Sequence, residues 1–454
     1  MTLSLALVDT TNLENLPEEF DGTLEPSGLA LCCAFNRHGS LLAVGCNDGT
    51  VIIYDFLTRT PAKTIFGHLQ QICSLSWSRN GRRLAVVSLD NSVTVWDVTS
   101  SKCLLRWEFP SPLVKVQFNP RNDKVILICP YKHPPIILHT STYEDTPTQR
   151  NHYIVPTDPD DADTTIVASF DRRGQYIYTG NSKGRVAVIR CPTEKEFMDI
   201  EYSCSTKEEA IEIMRARMKV VASFRLQASG SVPIAIKEIE FATRSKHFFL
   251  INASDRTIRK YKCDDVLACG LNGDCEEVCR FQELVSKTLW RRCCFSGNPQ
   301  AAYVCGASAR QHALYIWDAE TGIIKKMLDG RKGELLLDVQ WHPLRPVLVS
   351  ISNGIVSVWR KAQIENWSAY APNFKELEEN MEYEERESEF DLDDEDKPPV
   401  SKDQQEEEDV DVDVVTSKLE IEFLSSDEEE EDPEALIVLP VVLDDQECEQ
   451  AERA

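Results

Sequence analysis

The sequence predicts an all-β fold: a seven-bladed β-propeller over residues 1–360, followed by an acidic, largely disordered C-terminal tail over 361–454. Three observations predict it. A strand–turn–strand unit recurs seven times, the third strand of several units ends alike, and the charge changes abruptly near residue 360.

The clearest copies of the unit are CAFNRHGSLLAVG (Cys33–Gly45), LSWSRNGRRLAVV (Leu75–Val87), VASFDRRGQYIYT (Val167–Thr179) and CCFSGNPQAAYV (Cys293–Val304). Each reads as an alternating strand, a polar turn bearing Gly or Pro, and a second apolar strand, which is the pattern of a β-hairpin. Weaker copies begin near Val116, Ile239 and Val339. An aromatic residue marks the same place in every copy (Phe35, Trp77, Phe118, Phe170, Phe241, Phe295 and Trp341), at intervals of 42, 41, 52, 71, 54 and 46 residues. A base period of about 41 residues matches one four-stranded blade. The third strand ends Tyr54-Asp55, Trp96-Asp97, Trp317-Asp318 or Trp359-Arg360. Turns at Asn47–Gly49, Asp90-Asn91 and Asn353-Gly354 precede three of these, and such residues take left-handed backbone at little cost. Gly67-His68 stands ahead of the second copy. Together these features resemble the WD repeat.

The longer intervals locate insertions. The longest, about 191–221, holds Ser205 and Glu208 at capping-box spacing, with Ile211, Met214, Met218 and Val221 on one helical face. A helix is expected, either laid against the propeller side or offered to a partner. Gln282–Trp290, in the next interval, reads as a second short helix.

The chain carries 49 Lys and Arg against 75 Asp and Glu, a net of −26. Beyond residue 360 lie 35 of the acids and 7 of the bases, so the tail holds −28 and the body +2. No apolar run reaches the 18 or so residues of a membrane-spanning helix, and the longest, Ala435–Leu443, is broken by Pro440. No membrane partner is expected. The amino terminus lacks the basic flank of a secretory signal. The 16 cysteines follow no disulfide framework and read as reduced thiols. Their densest group (Cys263, Cys269, Cys275, Cys279, Cys293 and Cys294) lacks paired zinc-knuckle spacing, so no metal or cofactor is expected. His68, Ser88 and Asp90, with Trp96, include the residue types of a hydrolytic triad, but in WD repeats those types staple strands together. No phosphate-binding Gly-rich loop or nucleophile elbow occurs, and catalysis is not expected.

A charge run alone makes a solvated spacer. Trp367, Tyr370, Phe374, Tyr383 and Phe390 depart from that composition. Exposed ion pairs return too little to order such a segment, so binding needs buried aromatic anchors together with backbone pairing or desolvated acid–Arg contacts. The tail reads as a string of docking peptides.

The segments NWSAYAP (Asn366–Pro372), KEL (Lys375–Leu377) and EYEERESEFD (Glu382–Asp391) are similar to the retinoblastoma-binding protein five family. So are VGCNDG (Val44–Gly49), SFDRRG (Ser169–Gly174) and SARQHALYIW (Ser308–Trp317). The similarity runs from about Asp21 to Glu430. That family is the WD-repeat subunit of the MLL/COMPASS complexes that methylate lysine-4 of histone H3, and is not itself the methyltransferase. The resemblance implies a nuclear scaffold without cofactors. It implies that 366–380, through Asn366, Trp367, Tyr370, Pro372 and Phe374, lies on a catalytic SET domain. It implies that 381–394, through Glu382, Tyr383, Glu384, Glu385, Arg386, Glu387, Phe390 and Asp391, docks on a SPRY-domain subunit. Segment 406–416 would bind a second WD-repeat subunit through Val410-Asp411-Val412 or Val412-Asp413-Val414. Arg256, Lys287, Arg310 and Lys332 would contact nucleosomal DNA and histones; lysine keeps the charge there but loses the bidentate geometry of arginine.

The 191–219 insertion, the cysteines of 263–279, and an end at Ala454 where the family continues into a Lys-rich tail point to a diverged paralogue. A ubiquitin-ligase substrate receptor or a generic interaction propeller is the alternative. Such receptors often end a blade Trp-Asp-x-Arg, whereas this chain reads Trp96-Asp97-Val98-Thr99 and Trp317-Asp318-Ala319-Glu320. Ser388, Ser425 and Ser426 each have an acid three residues on, which suits acid-directed kinases; phosphate on Ser388 would add about −1.5 to −2 charges.

Overall fold

The computed structural model describes residues 16–140, 152–157, 166–203, 207–226, 234–245, 247–283 and 288–362, with Leu436 and Leu439. Their twenty-eight strands pair into seven antiparallel sheets of four, the blades of a propeller. Blade 1 runs outward from the axis as strands a to d: Ala30–Phe35, Leu41–Cys46, Thr50–Asp55 and Thr60–Phe66. The a strands of blades 2 to 7 are Ile72–Trp77, Leu113–Phe118, Val167–Phe170, Ile236–Phe241, Trp290–Phe295 and Leu336–Trp341. Every marker aromatic is the last residue of its a strand.

Burial in blade 1 is deepest in the two middle strands. Strand b of blade 1 (LLAVGC) is buried along its whole length, because it packs on both faces against neighbouring blades. Strand d (TPAKTIF) is mostly exposed. Between blades 7 and 1, Val349, Ile351, Val356 and Val358 pack with Leu42, Val44 and Ile52.

The amino-terminal strand Glu19–Leu24 supplies the outer strand of blade 7, antiparallel to Ile355–Arg360 with Glu19 opposite Arg360. Both ends of the ring therefore share one sheet, and Ile355–Arg360 is not left as a bare edge. Asp21 on that strand pairs with both Arg59 and Arg360. The repeat pattern does not reveal this closure, since the strand lies ahead of the first copy.

The long insertion lies inside blade 4, between its c strand Arg185–Arg190 and its d strand Val220–Arg225. It forms two helices rather than one, α1 (Glu194–Ser203) and α2 (Lys207–Arg217). Thr193 and Glu196 cap α1: Glu196 Oε2 accepts from the Thr193 N–H at 2.8 Å and from its hydroxyl at 3.0 Å. Phe197, Ile200, Ala210, Met214 and Met218 are buried against the side of the propeller, with Ile211 partly so. The short outer strand of blade 3, His152–Ile154, is the edge they cover, and Phe197 stacks on His139 with centroids 4.5 Å apart. Val221 is not on this helical face: α2 ends at Arg217, and Val221 is an exposed residue of strand d. Of the helix expected at 282–290, residues 284–287 lie outside the described residues; 282, 283, 288 and 289 are neither helix nor strand, and Trp290, its ring fully buried, begins a strand. A short helix is present earlier, α3 (Cys263–Cys269).

Candidate functional site

In each blade the b–c turn and the d–a connection emerge at the same end of the sheet, so all of them share one face of the ring. Arg256 occupies the b–c turn of blade 5, between Phe248–Ala253 and Ile258–Lys262. Arg310 occupies that of blade 6, between Tyr303–Ser308 and Ala313–Asp318. Lys332 lies in the connection from Ile324–Asp329 to the a strand of blade 7. The fold thus brings three of the four expected nucleosome residues onto one face, all exposed. Lys287 lies outside the described residues. Arg256 holds a left-handed φ of 69°, and its carbonyl accepts the Trp290 indole N–H at 2.9 Å. The backbone is pinned while the side chain faces solvent.

Two carboxylates beside these cations, Asp255 and Glu334, are already engaged. Asp255 pairs with the buried Arg259 and accepts from the Thr257 hydroxyl at 2.7 Å. Against the cost of its burial, those bonds hold its pKa below the ordinary carboxylate range. Glu334 meets His312 Nδ1 at 3.0 Å and the Ser352 hydroxyl at 2.8 Å.

The residues that imitate a triad are structural. His68 reaches Asp90 at 2.9 Å through Nδ1 and the Thr94 hydroxyl at 2.7 Å through Nε2. The Trp96 indole donates to that same hydroxyl at 2.8 Å. Ser88 donates instead to the Gln70 carbonyl at 2.9 Å. Burial lowers the His68 pKa despite Asp90, favouring the neutral ring. Gly67 is required for close approach, since a Cβ there would stand 2.1 Å from the Trp96 ring. Thr94 is the member that sequence reasoning missed. Blade 7 has a similar staple, in which Trp359 donates to the Ser350 hydroxyl at 2.9 Å.

Around the axis, a strands are sheet edges with backbone N–H groups to satisfy. Side chains of one blade accept from the next. The N–H of Phe118 donates to the Ser76 hydroxyl at 2.9 Å, that of Phe170 to Gln117 Oε1 at 3.0 Å, and that of Cys33 to Asp338 Oδ2 at 3.0 Å. Glu238 takes the Cys293 N–H at 3.2 Å and also pairs with Arg292. Arg292 Nε lies 3.5 Å from Asp338, so one guanidinium bridges blades 5 and 7. Glu238, ahead of any burial penalty, raises its pKa and keeps it charged. Glu240 has Lys115 at 3.9 Å, and burial pushes its carboxyl up to about 7.

The tail residues Asn366, Trp367, Tyr370, Pro372 and Phe374, the docking residues between Glu382 and Asp391, the Val410–Val414 stretch, and Ser388, Ser425 and Ser426 lie outside the described residues. Leu436 and Leu439, from the apolar run noted above, pack partly buried against the core cluster of blades 1 and 2 that includes Leu41, Leu75, Leu84 and Trp96. The Leu436 N–H donates to the Asn80 carbonyl at 2.7 Å. Asn80 belongs to an a–b turn, so this contact is on the face opposite Arg256.

The WD domain, G-beta repeat family model matches residues 19–55 and 59–97. The chain is 48% identical over 430 residues to the retinoblastoma-binding protein 5 homolog of Drosophila melanogaster, covering 94% of this chain and 80% of that one. It is 36% identical to the retinoblastoma-binding protein homolog 5 of Caenorhabditis elegans, covering 84% and 76%. The Set1 complex component swd1 of Schizosaccharomyces pombe is 29% identical, covering 84% and 88%. The crystal structure of the Cps50 (Swd1) β-propeller domain of Myceliophteria thermophila superposes with a TM-score of 0.63 at 26% identity, covering 76% of this chain and all of that one.

Proposed function

The chain belongs to the retinoblastoma-binding protein five family, and from that premise we propose that it is a non-catalytic scaffold subunit of a nuclear histone H3 lysine-4 methyltransferase complex. The observation that carries this is the extent of the similarity. It spans 430 residues, more than the propeller holds, so it includes part of the acidic tail. A likeness of WD blades alone would stop near residue 360. Relatives named as Set1 complex and COMPASS components support the same assignment.

In this reading the mechanism is positional. Segment 366–380 lies on the SET domain, 381–394 holds the SPRY subunit through charge-assisted bonds around Tyr383 and Phe390, and 406–416 engages the second WD-repeat subunit. Tethering them on one chain raises their effective concentrations and stabilises the active SET conformation. Arg256, Lys287, Arg310 and Lys332 add phosphate contacts to the nucleosome. The test is assembly from purified subunits. The full chain is expected to co-elute with the SET, SPRY and second WD-repeat subunits, and deletion of 381–394 to release the SPRY subunit. Co-elution that survives that deletion would refute the assigned docking role.

A further inference from the structure

Six of the seven a strands begin with a one-residue bulge, at Leu31, Cys73, Val114, Lys237, Arg291 and Leu337. A bulge leaves its residue unpaired in the ladder and re-aims the side chain. Four of these positions carry apolar or thiol side chains; Lys237 and Arg291, on adjacent blades 5 and 6, carry charge. Both are exposed, at the inner end of the face that presents Arg256, Arg310 and Lys332.

The two cations are held near each other. Lys237 Nζ lies 3.5 Å from the carbonyl of Trp290, the residue before Arg291. The Trp290 indole in turn bonds the Arg256 carbonyl, so one tryptophan ties together three segments that carry cations. Neither Lys237 nor Arg291 makes an ion pair among the described residues. The acids closest in the fold are committed elsewhere, Asp255 to Arg259 and Glu238 to Arg292. Partial burial, and then the Arg291 charge, lower the Lys237 pKa against the opposing attraction of Asp255. An incoming anion would relieve that crowding.

We infer that Lys237 and Arg291 form a phosphate-binding pair that extends the basic surface of blades 5 to 7 inward, giving duplex DNA a second stretch of backbone contact. The inference rests on the reading of this face as a nucleosome contact. Cations on successive blades match the regular charge of a DNA backbone.

The test titrates the full chain into a short fluorescein-labelled DNA duplex across a range of salt concentrations, read by anisotropy. The Lys237→Gln/Arg291→Gln variant is expected to bind about tenfold more weakly and to lose about 1–2 from the log–log salt slope. Lys237→Arg should restore most of the loss at its site, and thermal melting should be unchanged in both variants. Wild-type affinity and slope in the double variant, with Arg256→Glu/Arg310→Glu impaired, would overturn the pair and leave the wider face standing. Absence of salt-dependent binding by the wild type would overturn both. Binding of an acidic peptide by the pair in place of the duplex would likewise refute the DNA assignment.

Discussion

Arg291 and Arg292 are neighbours on one strand, yet their surroundings differ in kind. Arg292 sits in the regular ladder and bridges Glu238 and Asp338, whose side chains are nearly buried at 7% and 6% exposure. Arg291 sits on the bulge before it, exposed and without an ion pair among the described residues. The same contrast separates Arg259, locked to Asp255, from Arg256 in the turn just before it. Backbone geometry, not residue type, decides which cation holds the hub together and which is left for a partner.

The largest expected effect breaks this contrast at the hub. Arg292→Ala leaves two buried carboxylates uncompensated and should cost about 2–3 kcal/mol in denaturant unfolding, toward the low end because the guanidinium is itself 37% exposed. Arg291→Ala should stay within about 0.5 kcal/mol. Equal losses would show that the bulge does not separate their roles.

A smaller effect sharpens the account of the hub by pH. The folded pKa of Glu240, about 7, exceeds the ordinary value of 4.5, so the folded state holds its proton longer than the unfolded state. Stability from this group is complete below about pH 4.5, falls as pH rises to 7, and is flat beyond. The carboxylate is about a third exposed to water, so Glu240→Gln should gain only about 1 kcal/mol at pH 8 and nothing at pH 4. A gain that did not depend on pH would place its cause elsewhere.

The smallest effect concerns the opposite face. Leu436→Asp should loosen residue 436 from the core cluster of blades 1 and 2, speeding hydrogen exchange of its amide while changing global stability by less than about 1 kcal/mol. Unaltered exchange at that amide would contradict the contact.

Blade number, the a–b hairpins and the b–c turns were legible because each copy repeats a turn and an aromatic with a fixed local cause. The closure by Glu19–Leu24 was not, because EFDGTL carries little apolar signal and its pairing is decided by residues more than 300 positions away. Helix α1 is announced in sequence by Thr193 and Glu196 at capping-box spacing, a cue that Ser205 and Glu208 duplicate a few residues on. Arg256, Arg310 and Lys332 share a face by topology, which no local motif states. Lys237 and Arg291 do not stand out in the sequence, because a bulge appears there only as a break in alternation.

The most direct measurement of the central claim is the initial rate of H3 lysine-4 methylation by the reconstituted complex, on a free histone H3 peptide and on nucleosomes. With 366–394 deleted, the rate should fall on both substrates toward that of the SET subunit alone. With Arg256→Glu/Arg310→Glu, it should fall on nucleosomes and hold on the peptide. Full rates on both substrates without 366–394 would contradict the proposal that this chain activates a methyltransferase through its tail.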